Sequence, residues 1–189
     1  MRRKENSEIT AQNKQKIMDT ATRLFLKQGA SETSLAAIAK ELGISKGTLY
    51  YYYPSKNELI FDITERHMNQ ITGDLLSWVE SIGKDKDPVD VLEYVSKTIL
   101  GAETRGKLHI YLIHEAISGN AALRKRFRET YKEWRRMLEY GLDKVMKGKD
   151  DHKVRAELIL TVIDGALIQH MLGVRANPLR DIISPIMKE

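Results

Sequence analysis

Residues Leu35–Tyr53 read LAAIAKELGISKGTLYYYY, and the spacing within this stretch decides the fold. Leu35, Ile38, Ala39 and Leu42 repeat at i, i+3, i+4 and i+7, the apolar face of a short helix, with Ser34 placed as N-cap and Gly43 as stop. A second short helix can start after Ser45 and run to Tyr53, where Pro54 forces a break. Two helices crossing at close range need a small residue at the crossing and a residue that tolerates positive φ in the turn. Ala39 and Gly43 fill those places, while Ile38, Leu42, Ile44 and Leu49 supply the apolar contacts. Six requirements met in register over twelve residues predict a helix-turn-helix. An ordinary helical hairpin needs no such coincidence.

Rotation at about 100° per residue gives the outer face of the second helix. With Leu49 inward, Tyr52 and Tyr53 fall on the core side, Gly47 and Tyr51 point nearly opposite, and Thr48 and Tyr50 lie on the flanks. Lys46 stands at the start. Tyrosine hydroxyls reach phosphates or base edges and their rings pack on sugars and thymine methyls, so this face suits a DNA groove. Gly47 gives up about 1 kcal/mol of helix propensity, which close backbone approach to DNA would explain. Lys56, in the first turn of the next helix, suits a phosphate; so do Thr33 and Ser34, which can also be plain caps.

Outward from this unit the period stays helical. Ile17, Ala21, Leu24, Phe25 and Gln28 mark one face of a helix that stops at Gly29. Ser55 caps a long amphipathic helix to about Ile82, and Asp87-Pro88 opens another. Further helices are predicted near 88–102, 106–117, 120–147, 151–173 and 178–187. The fold expected is all-α: an arm and helix-turn-helix over residues 1–54, then a helical body over 55–189.

Charge is unevenly placed. The 189 residues carry 31 Lys+Arg against 26 Asp+Glu, a net +5. Residues 1–60 hold ten basic and six acidic side chains, and the remainder twenty-one and twenty. The excess therefore sits beside the helix-turn-helix and includes Arg2, Arg3 and Lys4, read as a basic arm that meets a polyanion.

Residues 14–60, KIMDTATRLFLKQGASETSLAAIAKELGISKGTLYYYYPSKNELI included, resemble the DNA-binding domain of the tetracycline-repressor (TetR) family of bacterial transcription regulators. The matching pieces are Leu24-Phe25 and Gly29, the Thr33-Ser34 entry, Ile38-Ala39, Gly43 through Tyr50, the aromatic Tyr53, and Lys56 before Glu58-Leu59. The family usually has Phe where Tyr53 stands, which keeps that position aromatic. The resemblance implies a homodimer on a palindromic double-stranded operator and a pocket in the C-terminal helices whose ligand weakens DNA binding. It places DNA contacts at Thr33, Ser45, Lys46, Gly47, Thr48, Tyr50, Tyr51 and Lys56.

The C-terminal two-thirds is less explicit. Leu158–Ile163 and Ala166–Ile168 make the helix near 151–173 apolar nearly all round, so it is buried on several sides. Leu158, Val162 and the close-packing pair Gly165-Ala166 are expected at a dimer interface. The last helix would add Ile182, Ile183 and Ile186, giving two helices from each subunit. Asp164 inside the apolar run needs a partner, either by capping a neighbouring helix or by meeting a ligand. Candidate pocket residues are Trp78, Tyr94, His109, Leu112 and Ile113 on the middle helices. Tyr131, Trp134, Met137 and Ile163 complete the set. Their apolar character points to a hydrophobic or aromatic effector. The basic run Arg124–Arg128 could hold phosphate, as in an acyl-CoA, but Glu129 beside Lys125 and Lys132 reads as a solvated face.

Enzyme readings find no support in the motifs. The five histidines form no metalloprotease pair, and no phosphate-loop, dinucleotide or Gly-x-Ser-x-Gly pattern occurs. No metal site, cofactor or catalytic residue is expected. With no cysteine, no apolar run near the ~20 residues of a membrane span and no apolar leader after the basic start, a soluble cytoplasmic protein is expected. Two other classes stay open: an architectural DNA binder without a pocket, and a helical enzyme or sensor with a non-functional helix-turn-helix.

Overall fold

The computed structural model describes residues 2–82, 86–146, 152–174 and 179–187, with side chains described from residue 8 onward. Among them the regular elements are all helical: α1 (Arg2–Gln28), α2 (Leu35–Leu42), α3 (Lys46–Tyr52), α4 (Lys56–Ile82), α5 (Pro88–Gly101), α6 (Glu103–Ile117), α7 (Ala121–Val145), α8 (Lys153–Met171) and α9 (Leu179–Met187). The chain divides into two compact units, Met1–His67 and Met68–Glu189.

In the first unit each predicted punctuation mark acts as chemistry requires. Ser34 accepts a hydrogen bond from Ala37 N (3.1 Å) at the start of α2. Gly43 closes α2 in the left-handed region at φ 67°, where a side chain would be strained. Ser45 accepts from Thr48 N (3.0 Å) and opens α3, and Ser55 accepts from Glu58 N at the head of α4. Ile17, Ala21, Ile38, Ala39, Leu49, Tyr53, Leu59, Ile60 and Ile63 are buried. Leu42 and Ile44 are only half-buried.

The break between the units falls inside α4, beyond the 54/55 division drawn at Pro54. The first turns of α4 belong with α1: Asp62 pairs with Lys14 (3.9 Å) and Arg66 with Asp19 (3.0 Å). A proline marks where a helix starts, and the core of a unit extends as far as the helix stays packed. The arm also differs from expectation. Residues 2–7 continue α1 as helix, whereas the side chains of Arg2, Arg3 and Lys4 lie outside the described residues.

The second unit packs α5 against α9, α7 against α8, and α6 against both α7 and α8. Its core gathers Leu75 and Val79 with Val91, Ile99, Leu142, Ile159, Ile163, Ile183 and Met187. Asp87 caps α5 through Val89 N (2.8 Å), with Pro88 in the first turn as predicted. Within the chain, close helix approach occurs at Gly106. A Cβ on Gly106 would stand 3.0 Å from Leu167 Cδ1 and 3.1 Å from Met171 Cε, whereas one on Gly165 would meet nothing within 4 Å.

Candidate functional site

In α3 the inward and outward faces fall as helical rotation predicts. Leu49 is completely buried, Tyr51 is 80% exposed and Tyr50 50% exposed, with Lys46, Gly47 and Thr48 exposed beside them. Ser45 Oγ and Thr48 Oγ1 share a 2.8 Å hydrogen bond. Tyr51 is edge-on to Tyr52 (ring centroids 5.3 Å). Tyr52 is half-buried, its hydroxyl accepting from Asn13 Nδ2 (2.9 Å) of α1. Two large rings thus stand in water beside a compact core, an arrangement that marks a contact surface. Nothing within the chain requires glycine at position 47, since a Cβ there would meet only Ser45 Oγ at an ordinary 3.7 Å.

Two expected contacts are turned inward. Thr33 is completely buried. Its hydroxyl donates to Gly29 O (2.7 Å) and accepts from Gln28 Nε2 (3.1 Å), locking the α1–α2 turn. Lys56 Nζ donates to Ala30 O (2.7 Å) and Ser31 O (3.2 Å), so its ammonium neutralises turn carbonyls. Sequence alone could not separate these roles from phosphate contact, because a threonine or lysine at a helix start suits either. Ser34 remains exposed.

The second unit holds a cavity of about 110 Å³. Leu75, Val79, Val91, Leu92, Leu138, Leu142 and Leu160 give it apolar walls. Of the predicted pocket residues, His109, Trp134, Met137 and Ile163 line it. The others do not. Trp78 packs on the exposed Tyr94 (4.5 Å), Leu112 is wholly buried in the core, and Ile113 and Tyr131 line a separate groove with Phe127, Arg124 and Arg128.

Three ionisable groups meet the cavity. Asp164 accepts a 2.8 Å hydrogen bond from the Tyr131 hydroxyl, which answers how a carboxylate survives in that apolar run. Burial holds its pKa above the ordinary value, opposed by that bond, and burial followed by the nearby carboxylate raises that of Tyr131. His109 is buried among Phe127 and Trp134. Its pKa is pushed down to about 4, first by burial and then by the Arg105 charge, so it is neutral at physiological pH. Arg105, 3% exposed, was not singled out from sequence. The signal was its place on the inward stripe Arg105, Leu108, His109, Leu112, Ala116 of α6, where a permanent cation is out of keeping.

On α8 a different stripe faces out. Val154, Leu158, Thr161, Gly165, Ile168 and Leu172 follow alternating steps of four and three, the spacing of a coiled-coil seam. Val154 (71%) and Leu172 (72%) are strongly exposed, and Leu158 and Ile168 both stand at 46%. Val162, Gly165 and Ala166 line a shallow groove with Ile182. Ile183, expected with them, is instead core at 1% exposure: α9 lays that face on α5. Ile186 packs half-buried against the same core.

A helix-turn-helix with an outward aromatic and hydroxyl face, followed by a helical unit, defines a DNA-binding transcription regulator. The sequence profile described as "Bacterial regulatory proteins, tetR family" matches residues 17–63. The chain is 27% identical over 180 residues to the HTH-type transcriptional regulator LmrA of Bacillus subtilis, covering 92% of this chain and 94% of that one. It is 28% identical over 169 residues to AcrR of Shigella flexneri (85% and 79% covered). Its fold matches that of Thermus thermophilus FadR, a TetR-family repressor solved with lauroyl-CoA. There the TM-score is 0.68 at 18% identity, with 92% and 91% of the two chains covered. Residues 17–63 thus carry a DNA-binding domain of the TetR family, and over most of its length the chain is similar to transcriptional regulators with that domain. No helix among the described residues is long and apolar enough to cross a membrane.

Proposed function

We propose that this regulator is a repressor that holds a palindromic operator as a homodimer and releases it when a small, largely apolar effector fills the cavity. In this reading the DNA-reading elements lie within residues 1–54, and sensing and dimerisation within 55–189. Thr48, Tyr50 and Tyr51 read the major groove, Gly47 lets the backbone approach, and Ser34, Ser45 and Lys46 hold phosphates. Thr33 and Lys56 support the surface by fixing the turn beneath it. The observation that carries the proposal is the contrast within one seven-residue helix: Leu49 wholly buried, Tyr51 80% exposed.

Dimerisation is supported by the outward apolar seam of α8, on which Leu158 is exposed, and by the adjoining shallow groove of Val162, Gly165, Ala166 and Ile182. Effector control is supported by the apolar cavity and by α4, whose first turns belong to the DNA-binding unit and whose later residues Leu75 and Val79 line the cavity. That FadR carries lauroyl-CoA agrees with an apolar ligand on this fold. A coupling of about 1–3 kcal/mol would change operator affinity roughly 5–150-fold.

Selection of bound duplexes from a random pool tests the reading. Enriched sequences should be inverted repeats with half-sites one helical turn, about 34–36 Å, or a multiple apart. Leu158→Glu should yield a monomer by sedimentation and lower operator affinity at least about tenfold. Enrichment of single, unrepeated sites would overturn the dimeric mode.

A further inference from the structure

Arg105 is a guanidinium with five donors, enclosed in protein and lining a largely apolar cavity. Its one described acceptor is Ile99 O, which takes a hydrogen bond from Nη2 near the C-terminus of α5, while Nε has no acceptor. No carboxylate pairs with it among the described residues. The other polar groups of the cavity do not relieve it. Asp164 is engaged by Tyr131, and His109 lies close enough for the Arg105 charge to oppose its protonation. Removing a cation from water without a counter-charge costs several kcal/mol, and one carbonyl dipole offsets only part of that. What Arg105 lacks is an anionic acceptor of its own.

We propose that the effector is an amphipathic anion: an apolar body held by the Leu, Val, Met and Trp134 walls, with a carboxylate received by Arg105. The carboxylate would accept from Nε and a free Nη, the side-on pairing that guanidinium geometry favours. This rests on the effector reading above and narrows it from "apolar" to a class defined by its head group. A cationic ligand of the same body meets like charge at Arg105, and a neutral hydroxyl offers one uncharged acceptor in place of the two-point, charge-assisted pairing.

Octanoate, octanol and octylamine share a chain and differ only in head group, so they isolate the claim. In a Trp78→Phe background Trp134 alone reports, and it lines the cavity. Octanoate should bind roughly tenfold or more tightly than octanol and octylamine, by Trp134 fluorescence and by calorimetry. Arg105→Met should bring octanoate to the level of octanol while octanol binding persists; Arg105→Lys should recover part of the preference. The comparison in the Arg105-containing protein needs no cavity variant, so a poorly folding one leaves the test intact. Equal binding of the three compounds would overturn the anion assignment and leave an effector cavity standing. No Trp134 response to any of them would overturn both.

Discussion

The two units of this chain put their candidate residues in opposite settings, one set outward and the other enclosed. In Met1–His67 the polar groups that could distract from recognition are consumed inside, as with Thr33 and Lys56, and rings that ordinarily belong in a core stand in water. In Met68–Glu189 the surface helices carry ordinary ion pairs such as Lys97–Glu93 (2.7 Å), and the unmatched chemistry is enclosed. An outward site can be altered with little effect on folding. An inward site is tied to stability, since its residues are also the core.

That contrast can be broken in several places. The largest effect is expected where the outward site meets its own core. Leu49→Ala should cost about 2–5 kcal/mol in the first unit and abolish operator binding, measured by chemical denaturation alongside DNA titration. Next comes the inward site. His109 has a folded pKa of about 4 against an ordinary 6.5, so the unfolded chain binds more protons between those values. Its contribution is fully present above pH 6.5 and is lost as pH falls toward 4, on the order of 3 kcal/mol in all. Denaturation at a series of pH values should show that loss in the parent protein and a smaller one in His109→Gln. Asp164, whose pKa is raised above its ordinary value, works in the opposite sense, so the difference between the two proteins is the quantity to compare.

A smaller, purely functional effect is expected from Tyr51→Ala. Operator affinity should fall roughly tenfold, the scale of one or two base-edge contacts, with the melting temperature unchanged. Unchanged affinity would remove α3's most exposed ring from the recognition surface. Smallest of all is Gly106→Ala. The added methyl presses only on the flexible tips of Leu167 and Met171, and the gain in helix propensity offsets it. Stability should move by less than about 1 kcal/mol; a larger loss would mean that α6 and α8 cannot shift, and that the cavity walls are stiffer than their side chains suggest.

The first unit was legible because its signals are local. Caps, a positive-φ glycine and a four-residue period each act within a turn or two of chain, and Ser34, Gly43, Ser45 and Ser55 all perform the role their positions announce. Where a position suited two roles, the partner the sequence could not reveal was a backbone carbonyl in a turn, as for Lys56. The cavity depends on which faces of five separate helices converge, which a single period cannot specify. Thus Tyr94, exposed, and Arg105, enclosed, exchanged the places that their polarity suggested. Apolar residues on α9 likewise gave no sign of which would turn inward, and Ile183 did.

The cavity's size bears on which ligands would act and which would merely bind. At about 110 Å³ it is smaller than an engineered site of about 150 Å³ that accepts benzene, and well below the usual ~300–1,000 Å³ of small-molecule pockets. A compound that fits the space as it stands favours the resting state, and so cannot drive the protein toward a widened one however tightly it binds. Only a guest too large for the resting walls can do mechanical work on α4, at the expense of its own apparent affinity. Potency as an inducer and tightness of binding should therefore part company along a homologous series, with the shortest members occupying the regulator and silencing it as a sensor.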